Sequence, residues 1–95
     1  MNEGPVSGQA TFEASPGLVS RIVGDETVLV DLDAELYYSL DPIGSMAWSW
    51  LTTGYTIDGV AEELVQSFDV ELGVAQADIE ELVAELIDAG LLLAR

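Results

Sequence analysis

The side chains from which this chain could build a reactive centre are carboxylates and hydroxyls. It holds no histidine, no cysteine and no lysine, and its only basic residues are Arg21 and Arg95. The usual general base, the usual thiolate nucleophile and the usual zinc ligands are therefore missing. What remains depends on spacing. Asp31-Leu32-Asp33 has the D-x-D spacing with which some transferases hold a divalent cation. Such ions want a ring of oxygen ligands, no further source is evident nearby, and Asp is a common turn residue in its own right. Glu62-Glu63 and Glu80-Glu81 are sequence neighbours, so on a helix they diverge and cannot act as a poised acid–base pair. The expectation is a protein with no catalytic residue, no metal and no cofactor.

Charge narrows the partners. Eighteen acidic residues stand against two basic ones, a net of −16. Nucleic-acid binding needs Lys and Arg to neutralise phosphates, so that class is excluded; an anionic membrane surface would repel the chain in the same way. Acidity of this degree would steer basic partners towards it. No apolar stretch approaches the ~20 residues of a membrane span, and the first residues lack the basic start and apolar run of a signal peptide. A cytoplasmic protein is expected. At 95 residues, 49% of them hydrophobic, there is material for one modest core.

The elements that must position these side chains follow from periodicity. Residues 1–17 carry Gly4, Pro5, Ser7, Gly8, Ser15, Pro16 and Gly17, the composition of a flexible N-terminal segment. Disorder is expected for 1–8, and only 10–14 could form a short edge strand. The domain proper is expected over 18–95. Leu18–Val23 and 27–32 read as a hairpin about Gly24-Asp25. After a second turn at 33–35, Leu36–Leu40 reads as a third strand, with Leu36, Tyr38 and Leu40 on one face and Tyr37 and Ser39 on the other.

Asp41-Pro42 supplies an N-cap and a first-turn proline. Ile43, Met46, Ala47, Trp50 and Leu51 then recur at helical spacing up to Gly54. On that stripe Trp50 faces inward and Trp48 falls on the opposite side. Either Trp48 packs on the sheet and the stripe is wider, or it is left partly exposed as a binding surface; packing is the expectation, because large apolar residues are mostly core. Thr56 caps a second helix with Ile57, Val60, Ala61, Leu64, Val65 and Phe68 in phase. A third runs over 74–89, stops at Gly90, and is followed by an apolar tail at 91–93. Turning ~100° per residue, its buried arc is Ala75, Ile79, Leu82, Val83, Leu86 and Ile87. Asp78 and Glu85 fall on one shoulder beside Leu82, with Glu81 just outside. The sum is an α+β domain, winged helix-turn-helix-like, with a three-stranded antiparallel sheet followed by three helices.

In a three-stranded meander the third strand is an edge, and Leu36–Leu40 contains no Pro, Lys or Gly to blunt it. Free edges are normally protected, so an open one suggests docking of a peptide as an added strand. A winged-helix DNA-binding regulator would need a basic recognition helix, and both later helices are acidic.

The segments Val28-Leu29-Val30-Asp31-Leu32, Tyr37-Tyr38-Ser39-Leu40-Asp41-Pro42-Ile43-Gly44 and Trp48, in that order, resemble the PqqD-like family. So do Asp78-Ile79, Leu82, Leu86 and Ala89-Gly90-Leu91-Leu92. The match spans 19–92; Asp41 replaces the family's commoner asparagine and keeps the cap. The resemblance implies a recognition element for ribosomally made, post-translationally modified peptides. Such domains bind the leader segment of a precursor as a fourth strand beside strand three, in a groove walled by helix three, and present it to a leader peptidase or other modifying enzyme. The YYSLDP wording and short chain are closest to the lasso-peptide type. A chaperone of another modified-peptide pathway, such as that of pyrroloquinoline quinone, and a generic protein-interaction adaptor are the alternatives. Carried onto this sequence, the groove would use the backbone of Glu35, Leu36, Tyr37, Tyr38, Ser39 and Leu40, with Asp78 and Leu82 from the family's helix-three pattern. Glu81 and Glu85 are added by the rotation count alone.

Overall fold

The computed structural model describes residues 9–95; the disorder expected for 1–8 lies outside the described residues. The elements are β1 (Phe12–Ala14), β2 (Leu18–Val23), β3 (Glu26–Asp31), β4 (Leu36–Leu40), α1 (Pro42–Thr52), α2 (Ile57–Ser67), α3 (Leu72–Asp88) and β5 (Leu92–Ala94). The three-stranded sheet, ordered β2-β3-β4, and the three helices after it are the architecture that periodicity called for.

Each turn of the meander has a local cause. Val23 pairs with Glu26, leaving Gly24-Asp25 as a two-residue loop. Gly24 holds φ 66, a left-handed conformation that glycine adopts without a Cβ penalty. Between β3 and β4, Asp31 Oδ1 accepts from the backbone N–H of Asp33 at 3.1 Å and of Ala34 at 3.2 Å. The first aspartate of the D-x-D pattern thus closes an Asx-type turn. The turn ends on Glu35 at φ 54, and β4 begins with the next residue.

The register sets the two faces of the sheet. Leu29 sits opposite Tyr38 and Thr27 opposite Leu40 on the inner face, while Val19, Val30 and Tyr37 line up across all three strands on the outer one. Leu29 and Leu40 are buried and Tyr37 is 73% exposed. This is the alternation expected of β4.

Asp41 caps α1, its Oδ1 accepting from Gly44 N–H at 2.7 Å; Thr56 caps α2 in the same way through Gly59 N–H at 3.0 Å. The buried face of α1 is Gly44, Ala47, Trp48 and Leu51. It is rotated from the expected stripe: Trp48 is 6% exposed, Ile43 is 46% exposed, and Trp50 is only partly buried. Trp50 instead leans towards Tyr55, ring centroids 6.0 Å apart. Trp48 packs beside the three-stranded sheet, lining a cavity with Ser20, Ile22 and Thr27, and α1 has a further neighbour that single-helix periodicity cannot register. Helix α1 packs on β1 as well as on β3.

That neighbour is the second sheet. Strand β1 pairs antiparallel with β5, Phe12 opposite Ala94 and Ala14 opposite Leu92. The tail at 91–93 is therefore largely strand, and Phe12, inside the segment read as flexible, is fully buried with Leu91 and Leu92. Helix α3 starts at Leu72, before the expected 74, and ends on Gly90 at φ 78, with Leu91 N–H donating to Leu86 O at 2.9 Å. One core joins both sheets and all three helices through Phe12, Leu29, Trp48, Leu51, Leu64, Ile79, Val83, Leu86 and Leu92.

Candidate functional site

Strand β4 pairs with β3 on one side and, among the described residues, with nothing on the other. Its outer backbone groups are an open ladder, the feature that invites an added strand. Inward-pointing Leu36 and Tyr38 are partly buried and pack against the core, Leu40 is part of it, and Tyr37 and Ser39 are exposed on the outer face. Glu35 falls in the preceding turn, and its left-handed backbone cannot continue the ladder.

Helix α3 is tied to this strand by one polar contact. Tyr38 Oη donates to Glu85 Oε1 at 2.8 Å. Burial first, and then the hydrogen bond and negative charge of Glu85, push the Tyr38 phenol above its ordinary value, so it stays a protonated donor through the physiological range. Leu82, one turn back along the helix, is partly buried against the core, while Asp78, Glu81 and Glu85 are exposed. None of these three carboxylates meets an arginine: among the described residues the ion pair present is Arg95 with Glu13, at 3.8 Å.

Asp78 stands seven residues before Glu85, about 10 Å along the helix at 1.5 Å per residue. There it lines a hollow of about 100 Å³ with Ile43, Leu64, Phe68, Val70, Ala75 and Ile79. Ile43 opens α1 directly after β4, so the hollow sits where the strand runs into the helix. Sequence reasoning had placed Ile43 and Phe68 on core stripes; both are exposed at the hollow instead. Two exposed apolar residues at element ends leave no sequence signal, because three helices must converge before they share a site. Among the described residues no group of three metal-ligating side chains is found, Asp31 and Asp33 included.

The site therefore combines an open strand edge, a carboxylate-bearing helix shoulder linked to it, and an apolar hollow at one end. A family model for Coenzyme PQQ synthesis protein D (PqqD) matches residues 26–92, which contain all three. The chain belongs to the PqqD family. Two solved structures resemble this PqqD-family chain over nearly all of their own length. One, described as TbiB1 in complex with the TbiA(beta) leader peptide, is 28% identical with a TM-score of 0.80, covering 84% of this chain and 93% of that one. The other, a lasso peptide synthetase B1 complexed with the leader peptide, is 27% identical with a TM-score of 0.84, covering 88% and 99%. No curated protein matches the chain. Both similar structures hold a peptide.

Proposed function

We propose that this PqqD-family protein is a recognition element of the lasso-peptide type, which binds the leader of a ribosomal precursor as a fourth strand on β4 and hands it to a separate leader peptidase or modifying enzyme. The observation that carries the reading is the open β4 edge beside α3. The two similar structures, each in complex with a leader peptide, support it. In this reading the protein itself does no chemistry and works in the cytoplasm, where the precursor is made. No helix among the described residues is long and apolar enough to cross a membrane.

The energetics say which parts must matter. A five-residue edge offers four or five backbone hydrogen bonds, each worth about 0.5–1.5 kcal/mol net. Ordering a disordered leader costs about 2–5 kcal/mol, so the ladder alone comes out near zero. Side chains supply the surplus. One apolar leader residue in the hollow at Ile43 and Phe68 contributes about 1.5–3 kcal/mol. The carboxylates Asp78, Glu81 and Glu85 favour basic residues in the leader and speed encounter.

The test exploits strand alternation. On β4, successive residues direct their N–H groups to opposite sides, so of Tyr37 and Tyr38 one faces β3 and the other the open edge. With the TbiA(beta) leader peptide as the probe, one of Tyr37→Pro and Tyr38→Pro should remain folded and lose binding, while the other loses stability. Unchanged affinity in every folded variant would reject strand addition.

A further inference from the structure

The sheet has a second open edge. Strand β2 pairs with β3 alone among the described residues, and its inner face is not roofed. Ile22 points inward, opposite Thr27, yet is 76% exposed. Between this strand and α1 lies a cavity of about 620 Å³, lined by Ser20, Ile22, Thr27, Met46, Trp48 and Ser49 among others. It has the same build as the leader site: an unpaired strand, a facing helix, and a groove between them.

It is far less acidic than the β4–α3 groove. The walls come mostly from two stretches that avoid acid in a chain of net −16. Residues 14–24 hold no carboxylate and one arginine, and residues 42–57 hold no charged side chain. Asp25, in the hairpin turn, is the one carboxylate on the cavity lining. Arg21, one of only two basic residues, stands in the middle of β2 on the outer face, next to Val28. A strand added to β2 would set one residue directly opposite Arg21, within cross-strand reach. Its inward neighbours would point past Ser20 and Ile22 into the cavity.

We propose that β2 and the groove against α1 form a second docking site, for an extended strand of a protein partner that is neutral or acidic. That strand carries apolar residues on its inward side and a carboxylate opposite Arg21. Charge then keeps the two edges apart: the acidic β4–α3 groove draws basic segments, and the acid-poor β2–α1 groove, with Arg21 at its strand, accepts segments which the rest of the surface repels. The two edges are separated by one strand, about 10 Å, so both can be occupied at once.

The test uses ¹⁵N-labelled protein and two short blocked peptides, alternating valine with glutamate or valine with lysine, titrated to millimolar concentration. The glutamate peptide should shift the amides of Leu18–Val23 and of α1, and the lysine peptide those of β4 and α3. Arg21→Glu, an exposed change that leaves the core untouched, should weaken the glutamate peptide about two- to tenfold without altering the lysine peptide's effect. If the glutamate peptide leaves β2 unmoved, or Arg21→Glu changes nothing, the proposal fails. It also fails if the β2 amides shift with protein concentration alone, since the occupant would then be a second copy of the chain. None of these outcomes depends on whether a leader binds β4.

Discussion

Replacing Tyr38 by phenylalanine removes one atom, the hydroxyl that joins β4 to α3, and leaves the ring in place. Hydrogen bonds to charged groups are worth about 1.5–3 kcal/mol, but this one is solvent-exposed at 2.8 Å and Glu85 is free to rehydrate when it is lost. Discounted for that screening, the expected loss is about 1 kcal/mol. With ~2.1 cal/mol/K of unfolding entropy per residue, a 95-residue chain should lose about 5 °C in Tm. Thermal unfolding followed by circular dichroism, on Tyr38→Phe, Glu85→Gln and the double variant, isolates the pair. The single losses should fail to add, with an interaction of about 0.5–1 kcal/mol. The pH dependence gives an independent sign. The folded Tyr38 pKa is raised, so its stabilisation is complete below the ordinary phenol value of about 10 and disappears as pH rises through the folded value. Above pH 10, wild-type Tm should therefore fall by more than that of Tyr38→Phe. Additive single losses, or equal alkaline slopes in the two proteins, would show that the contact does not join strand to helix.

Phe12→Ala removes a fully buried ring from the β1–β5 sheet and should destabilise by about 3–5 kcal/mol, checked by urea unfolding. Asp31→Ala deprives the N–H groups of Asp33 and Ala34 of their acceptor. It should lower stability by about 1 kcal/mol, while millimolar Mg²⁺ or Mn²⁺ leaves the Tm of wild type and variant unmoved. Phe68→Ser at the hollow near Asp78 should weaken leader binding about tenfold, measured by fluorescence anisotropy of a labelled TbiA(beta) leader, with a Tm change of only a few degrees.

Local rules carried the reading of the sequence wherever an element is specified by its own residues. The meander, the caps at Asp41 and Thr56 and the phase of α3 depend on nothing beyond a few neighbours, and they appear where periodicity sets them. The misreadings share one origin. Strand β1 lies within the 10–14 stretch read as a possible short edge strand, but its partner Leu92–Ala94 comes from the other end of the chain, so no local pattern announces the pairing. Trp48 is buried beside the three-stranded sheet, as expected of a large apolar residue, whereas Trp50 leaves the expected stripe and leans towards Tyr55. The hollow has no local signal for the same reason, since Ile43 comes from α1, Phe68 from the cap just past α2 and Asp78 from α3. Glu85 shows the reach and the limit of helix geometry: a rotation count puts it on the shoulder beside Leu82, but only the tertiary structure supplies its partner Tyr38.

The pairing of β1 with β5 also has a consequence for how the chain is threaded. Arg95 N–H donates to Thr11 O at 3.0 Å, the most sequence-distant hydrogen bond among the described residues, so the β1–β5 contact closes the largest loop and bears the largest closure entropy. It should form after the meander and helices and open before them, as a late step in folding and an early one in hydrogen exchange. Because it holds residue 12 beside residue 94, a short glycine linker between the described ends would make the closure intramolecular from the outset. New termini could then be opened in the exposed link at Thr53 and Gly54, which is part of neither β4 nor α3. Such a permuted chain would keep the β4 edge and the α3 shoulder while reversing the order in which the synthesised halves emerge.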